Sequence, residues 1–203
     1  MTWSSRRAWA TAVVALSLAG CGGPSAGQAA PAHTADTAAS ARPSVKPAPA
    51  LGRSVPVRLQ IPAIGVDTPV MQLGLAPDGT VQVPPIAAHD QAGWYRYSPT
   101  PGQVGPAVVL AHVTVGRYGD GVFRHLAALH RGDRIVARLE NGTAAVFAVD
   151  DVRTVAKAHF PTEAVYGNVD RPELRLVTCG GPRSGDGYLD NVIVFATLSA
   201  ARP

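Results

Sequence analysis

Two side chains in this sequence, Cys179 and His112, are of the types that a thiol-based nucleophilic site requires. Cys179 follows the apolar run 174–178 and precedes Gly180-Gly181, and His112 follows the apolar run 107–111. A thiol attacks as its thiolate, and a neighbouring histidine supplies the base or the positive charge that this form needs. The sequence therefore predicts a Cys–His pair in which each member is delivered by the end of a strand.

The residues alone leave a second interpretation of Cys179 open, because a free cysteine is often a small buried hydrophobic residue. The other histidines of this region occur in polar, loop-like sequence and are expected at the surface: His89, His125, His130 and His159. Their spacing is not that of a zinc site, and the sequence has no acidic cluster of the calcium-binding type. We therefore expect neither a metal nor a cofactor.

The second cysteine, Cys21, lies in a segment that has the features of an export signal. Arg6 and Arg7 precede an apolar run, residues 8–19, which is short for a membrane span. The small residues before Cys21 resemble the lipobox of bacterial lipoproteins, and this resemblance implies lipidation of Cys21. The alternatives are an ordinary cleaved signal peptide or a short anchor. Each places the folded part outside the cytoplasm, lipid-anchored at the outer face of the membrane or secreted.

Residues 22–53 are rich in Ala, Pro, Ser, Thr and Gly and have few apolar side chains. Such a segment buries too little surface to offset its ordering entropy, so it is predicted to be a flexible tether. Residues 51–203 carry 14 basic and 13 acidic side chains. A charge so near zero gives no electrostatic footprint for nucleic acid, so no nucleic-acid partner is expected.

The remaining segment, residues 54–200, is predicted to be one all-β domain. Short apolar or alternating runs separated by Gly, Pro, Asn and Asp indicate a sandwich or a barrel. Asn141-Gly142 predicts a two-residue hairpin turn. Short helices are expected over residues 121–129 and 161–166. The predicted strands are residues 55–61, 81–83, 107–111, 134–139, 144–155, 173–178 and 192–197.

Several motifs resemble those of sortases. Leu176-Val177-Thr178-Cys179 resembles the Leu-x-Thr-Cys signature of that family, and Ala111-His112-Val113 resembles its histidine motif, with Ala where many relatives have Gly. The likeness covers residues 57–197, and further segments resemble the actinobacterial class F branch. The further matching segments are residues 61–66, 93–95, 160–162, 165–167 and 190–194.

This resemblance implies an eight-stranded β-barrel with short helices in its loops, and a cysteine transpeptidase activity. Cys179 would attack the Thr–Gly bond of a Leu-Pro-x-Thr-Gly-like sorting signal and form a thioester. His112 would act as the general acid and then as the general base. The implied partners are surface proteins that carry the signal and an amine acceptor of the cell envelope. A relative that only hydrolyses, or a non-catalytic barrel lipoprotein that binds cell-wall peptide, is the alternative.

The sequence departs from the family pattern at one position, the arginine that in sortases stabilises the substrate carbonyl or oxyanion. The family places this residue near the start of the strand after the cysteine, where this chain reads Tyr-Leu-Asp-Asn at residues 188–191. Arg183, four residues past the thiol, could fold back to the site, or it could be a solvated loop charge. Asn191 could instead supply a neutral donor.

Overall fold

The computed structural model describes residues 48–185 and 187–203, without the side chain of Arg117. The predicted export segment, its lipidation residue Cys21 and residues 22–47 of the predicted tether lie outside the described residues. Within the described part of the chain, no helix is both long enough and apolar enough to cross a membrane.

The described residues form eight strands and one short α-helix. The helix, α1, is Thr162–Tyr166. The strands are β1 (Pro56–Ile61), β2 (Val66–Leu73), β3 (Ala92–Tyr95), β4 (Gly105–Leu110), β5 (Arg134–Leu139), β6 (Ala144–Ala156), β7 (Pro172–Ser184) and β8 (Gly187–Arg202). Single 3₁₀ turns occupy Pro62–Ile64, Ile86–Ala88, Gly116–Tyr118, Leu126–Ala128 and Lys157–His159.

The strands close into one barrel in the order β1-β2-β3-β4-β7-β8-β6-β5. The pairs β2–β3 and β4–β7 are parallel, and the other neighbours are antiparallel. The prediction of an all-β, eight-stranded barrel with short helices in its loops is therefore confirmed. Closure gives each of these strands a paired neighbour on both sides, while the ends of β6 and β7 extend beyond their shorter neighbours β5 and β4.

Alternating side chains divide the core into an inner and an outer part. In β7, Leu174 and Leu176 point into the barrel, whereas Val177 packs outside it beneath Val165 of α1. The interior is filled by large side chains such as Trp94, and each fully buried aliphatic or aromatic side chain contributes about 1.5–3 kcal/mol. This alternation decides on which face of the wall each site residue lies.

The strands β2 and β3 are not among the strands predicted from the sequence. Pro69 interrupts the apolar pattern of β2, and β3 is only four residues long and contains Gly93, so neither has the usual signal of a strand. The predicted strand at 81–83 is wrong: Val81 makes only an isolated bridge to Leu75, because Pro84-Pro85 ends the run.

Two local predictions also need correction. The hairpin between β5 and β6 has a three-residue loop, since Leu139 pairs with Thr143 and Gly142 N–H donates to Leu139 O. Gly142 takes φ +87°, as in a turn followed by a bulge. The helix predicted over 121–129 is reduced to the 3₁₀ turn Leu126–Ala128, and the one predicted over 161–166 is α1.

The last residues of the predicted tether contact the barrel. Ala48 N–H donates to Leu198 O at 3.3 Å, and Leu51 N–H donates to Gly102 O at 2.8 Å. Both side chains are partly buried against the barrel core. The chain therefore reaches β1 along a defined path from residue 48 onward.

Candidate active site

The strands β4 and β7 bring His112 to the level of Cys179. They are parallel neighbours, with Val109 opposite Leu176 and Leu110 opposite Val177. The pairing continues one residue beyond β4, because Ala111 N–H donates to Val177 O at 3.3 Å. Continuing this register places His112 opposite Cys179, on strands that lie about 4.8 Å apart.

The same alternation puts the two side chains on one face of the barrel wall. Ala111 and Leu176 point into the barrel, whereas Leu110 and Val177 point outward. His112 follows the outward direction of Leu110, and Cys179 follows that of Val177. The structure therefore brings together, on the outer surface, the two residues that the sequence analysis assigned to the nucleophilic pair.

Thr178 fixes the end of β4 beside β7. Its side chain is buried, and its hydroxyl donates to Ala111 O at 2.7 Å. This bond ties the residue before His112 to the residue before Cys179, at the point where the backbone ladder of β4 ends. A threonine at this position thus keeps the two functional side chains in register.

Asn191 of β8 lies directly across from Cys179, on the side of β7 opposite to β4. The antiparallel pair β7–β8 places Cys179 opposite Asn191, and directly opposed residues project to the same face. The Asn191 amide donates through Nδ2 to Thr178 O at 3.1 Å. An N–H donor therefore lies beside the thiol, on the side away from His112.

The regular pairing of β7 with β8 is interrupted immediately after Cys179. The β7–β8 register shifts between Gly180 and Arg183, with Gly181 at φ +70°, so one extra residue of β7 is accommodated there. Cys179 itself is partly exposed and, among the described residues, is a free thiol. The prediction that a strand ends at the thiol therefore needs correction: β7 continues to Ser184, and it is the regular ladder that breaks just past Cys179.

Arg183 lies apart from this group. Its exposed guanidinium stacks on the Tyr188 ring, 5.2 Å from the ring centroid. Tyr188 shares the alternation face of Val192, which is the face opposite to that of Asn191. Four residues along β7 separate Arg183 from Cys179, a backbone span of up to about 13 Å. The role predicted for Arg183 stays a prediction.

The imidazole of His112 is held by backbone groups. Its Nε2 lies 2.7 Å from Pro84 O, a carbonyl of the β2–β3 connection. His112 O accepts from Phe123 N–H at 2.9 Å, and Gly121 packs so closely that an added Cβ would lie 2.8 Å from His112 Cβ. Pro84 is not among the site residues predicted from the sequence, although the Pro84-Pro85 pair indicates a rigid carbonyl.

An apolar, aromatic surface adjoins the site on the same outer side. Phe160 and Tyr166 pack against the outer cluster that contains Val177, and Tyr166 stacks edge-on to Tyr95 at 6.2 Å. Burial, with a smaller contribution from Tyr95, raises the pKa of Tyr166, so its hydroxyl stays neutral at physiological pH. This surface can accept apolar parts of a peptide.

Of the other histidines, His125, His130 and His159 are exposed, as predicted, whereas His89 is half-buried and its carbonyl accepts from Val122 N–H at 3.1 Å. His89 stacks on Tyr118, His125 precedes the turn Leu126–Ala128, and His159 ends a turn before α1. Among residues 48–185 and 187–203, no three or more His, Cys, Asp or Glu side chains are grouped in a way that could hold a metal ion.

Solved structures with the same fold are sortases. The SrtA sortase from Actinomyces oris is 22% identical, with a TM-score of 0.53 over 79% of this chain and 89% of its own. The Sortase D5 transpeptidase of Clostridium perfringens is also 22% identical, with a TM-score of 0.53 over 71% and 78%. Sortase A of Listeria monocytogenes is 15% identical, with a TM-score of 0.54 over 74% and 90%.

No curated protein sequence matches the chain. The family described as Sortase domain matches residues 59–199, a range that begins within β1 and ends within β8. That range includes all or part of every strand of the barrel, together with Cys179, His112 and Asn191. The chain therefore belongs to the sortase family.

Proposed function

We propose that this protein is a cysteine transpeptidase in which Cys179 is the nucleophile and His112 is the general acid and base. The observation that carries the proposal is the placement of both side chains at one level and on one outer face of the parallel pair β4–β7. Thr178 supports it further, because its bond to Ala111 O holds this register.

The arrangement supports a two-step acyl transfer. The Cys179 thiolate attacks the carbonyl carbon of the scissile peptide bond, and the electrons of the broken C–N bond leave on the amine nitrogen, which takes a proton from His112. The product of this step is a thioester on Cys179. An incoming amine then gives a proton to His112 as it attacks the thioester, and the thiolate leaves.

The substrate of this reaction is proposed to be a Leu-Pro-x-Thr-Gly-like sorting signal of a surface protein, and the acceptor an amine of the cell envelope. The apolar surface around Phe160 and Tyr166 supports a peptide with apolar side chains. Class F membership, export, and lipidation of Cys21 at the membrane complete the proposal. They rest on the sequence resemblances.

Carbonyl stabilisation by Arg183 stays a prediction; its guanidinium stacks on the Tyr188 ring. The departure at residues 188–191, where the family has its arginine, favours one alternative function, a non-catalytic barrel that binds cell-wall peptide. A barrel of that kind would retain peptide affinity after the thiol is removed and would form no adduct.

The proposal is tested by adding Leu-Pro-x-Thr-Gly peptides to the full chain and measuring the intact mass. We expect a thioester adduct on Cys179 that is absent from Cys179→Ala, and transfer to an added amine such as triglycine. An adduct whose acyl group is transferred only to water, and not to the amine, would identify a hydrolase. Peptide binding without adduct, across a panel of related signals, would favour the binding barrel.

A further inference from the structure

The His112 ring is bonded to an atom that can only accept a hydrogen bond. Its Nε2 lies 2.7 Å from the Pro84 carbonyl oxygen, and a carbonyl oxygen has no hydrogen to give. Nε2 must therefore carry the hydrogen of this bond, whether the ring is neutral or positively charged. The other ring nitrogen, Nδ1, is then the atom left to exchange a proton.

The direction of the Pro84 carbonyl is fixed by the covalent structure of the chain. The ring of Pro84 restricts its own φ, and the following Pro85 restricts its ψ to extended values. Pro84 is also buried. Two consecutive prolines thus leave this carbonyl little freedom to turn away from the imidazole.

The segment that carries Pro84 is anchored on both sides. Before it, Gln82 N–H donates to Gly74 O at 3.0 Å, and the Gln82 side chain accepts from Gly74 N–H at 2.8 Å. After it, Ala88 N–H donates to Pro85 O at 2.8 Å. The carbonyl is therefore held in place from the end of β2, independently of the strand that leads to His112.

We propose that the Pro84 carbonyl is a positioning group that keeps His112 in the Nε2–H form and makes Nδ1 the atom that carries the catalytic proton. This inference deepens the proposed transpeptidase function and rests on it. A carbonyl in this position does for the imidazole what an orienting carboxylate does in other catalytic groups: it selects the tautomer and the ring orientation.

The proton transfers then balance without any change of tautomer. As the scissile C–N bond breaks, its electron pair goes to the amine nitrogen, and the proton on Nδ1 of the imidazolium moves to that nitrogen. The ring is left neutral, with its hydrogen on Nε2 still bonded to Pro84 O. When the acceptor amine attacks the thioester, Nδ1 takes up the proton that this amine loses.

Nuclear magnetic resonance of the full chain, with ¹⁵N-histidine and carbonyl-¹³C proline, tests the geometry directly. The resting Cys179→Ala variant is measured beside the parent, so this readout does not depend on activity. We expect neutral His112 to show a protonated Nε2, an unprotonated Nδ1 and a scalar coupling from Nε2 to the Pro84 carbonyl carbon. A hydrogen on Nδ1 of neutral His112, or no coupling, would overturn the inference.

The role in catalysis is tested with Pro85→Gly, which frees ψ of Pro84 and leaves both reacting side chains in place. Its control is Ala87→Gly, an exposed position in the same connection. We expect Pro85→Gly to lose the coupling and to lower kcat about tenfold with little change in KM, since general acid–base catalysis as a whole contributes about 10²–10⁴-fold. Ala87→Gly should behave as the parent.

The outcomes separate this inference from the function on which it rests. Loss of the coupling in a folded Pro85→Gly variant with unchanged kcat would refute the positioning role while the transpeptidase function stands. Pro85→Ala also lacks the proline Cδ that restricts ψ of Pro84, so it should lower kcat as Pro85→Gly does. A parental kcat in Pro85→Ala would assign the effect to the flexibility of glycine at residue 85 and would overturn the positioning role. If the parent chain shows the coupling but forms no thioester, the proposed function is refuted and, with it, the catalytic role of Nδ1.

Discussion

In the proposed reaction, the oxyanion that forms when Cys179 attacks needs a hydrogen-bond donor that is already in place, and the residues beside the thiol decide which group can serve. Asn191 lies directly opposite Cys179 on β8 and carries an amide whose Nδ2 reaches Thr178 O. Arg183 is stacked on Tyr188 at the far side of the register shift. A donor that needs no rearrangement stabilises developing charge more effectively than one that must move.

We therefore expect Asn191→Ala to slow acylation of Cys179 more than Arg183→Ala does. The loss for Asn191→Ala should be about 10²–10³-fold, the range for removal of one oxyanion donor. Rapid-quench mass spectrometry of thioester formation under single-turnover conditions measures this step alone.

Asn191→Asp is the matched control, because it keeps the shape of the side chain and replaces the N–H donor with an acceptor that repels a thiolate. It should be at least as slow as Asn191→Ala. If Arg183→Ala has the larger effect, the turn must fold back during catalysis and the earlier prediction for Arg183 is the correct one.

At the level of the elements, the loop after β4 holds His112 in place by close backbone packing. Gly121 N–H donates to Val113 O at 3.0 Å, and its Cα lies where any side chain would collide with the His112 main chain. The loop between Val113 and Gly121 can close only because this position has no Cβ.

Gly121→Ala should therefore displace His112 and lower acylation at least tenfold, with a loss of about 1–3 kcal/mol in the free energy of unfolding, as is usual for overpacking. Gly52→Ala is the control, since an added Cβ there meets no atom within 4 Å. Kinetics and urea unfolding of the same samples check the prediction. A Gly121→Ala variant with parental acylation would show that the loop does not position the histidine.

The attachment of α1 to the barrel depends on a buried ion pair. Arg175 and Glu173 of β7 are each about 5% exposed and are bonded to one another, and Arg175 Nε also donates to Ala164 O at 3.1 Å. The guanidinium lies against the Phe195 ring as well, 4.7 Å from its centroid. A charge buried in this way stabilises the fold only while its partner remains.

We expect Glu173→Gln to lower the free energy of unfolding by about 3–5 kcal/mol, because it leaves the Arg175 charge buried without its carboxylate. The double variant Glu173→Leu with Arg175→Met should lose much less, since no buried charge remains: Arg171, which also pairs with Glu173, is about half exposed. Urea denaturation measures both. A double variant as unstable as the single one would mean that the pair is needed for packing rather than for charge balance.

At the scale of the whole molecule, the features that were predicted correctly depend on short sequence patterns. The alternating and apolar runs of β5 and β6 predicted both strands and the position of the hairpin, and the motifs around His112 and Cys179 predicted the family. Each of these depends on residues that are close together in the chain. The closed barrel followed from the resemblance, and the pairing of the strands confirms it.

The features that were missed depend on contacts between distant segments. β2 is a strand despite Pro69 because β1 and β3 pair with it, and β3 needs only four residues because β4 completes its pairing. The contact of Pro84 with His112 joins residues 28 positions apart. No local pattern reports such pairs, although the Pro-Pro sequence does indicate that this carbonyl is rigid.

The proposed transpeptidase function requires that the barrel holds Cys179 where a peptide carbonyl can acylate it with help from His112. Intact-mass measurement of the full chain incubated with a Leu-Pro-x-Thr-Gly peptide is the sharpest test, with Cys179→Ala and His112→Gln as companions. We expect a thioester on the parent, none on Cys179→Ala and at least about a hundredfold slower formation on His112→Gln. An adduct that persists in Cys179→Ala, or that forms at the parental rate in His112→Gln, would contradict it.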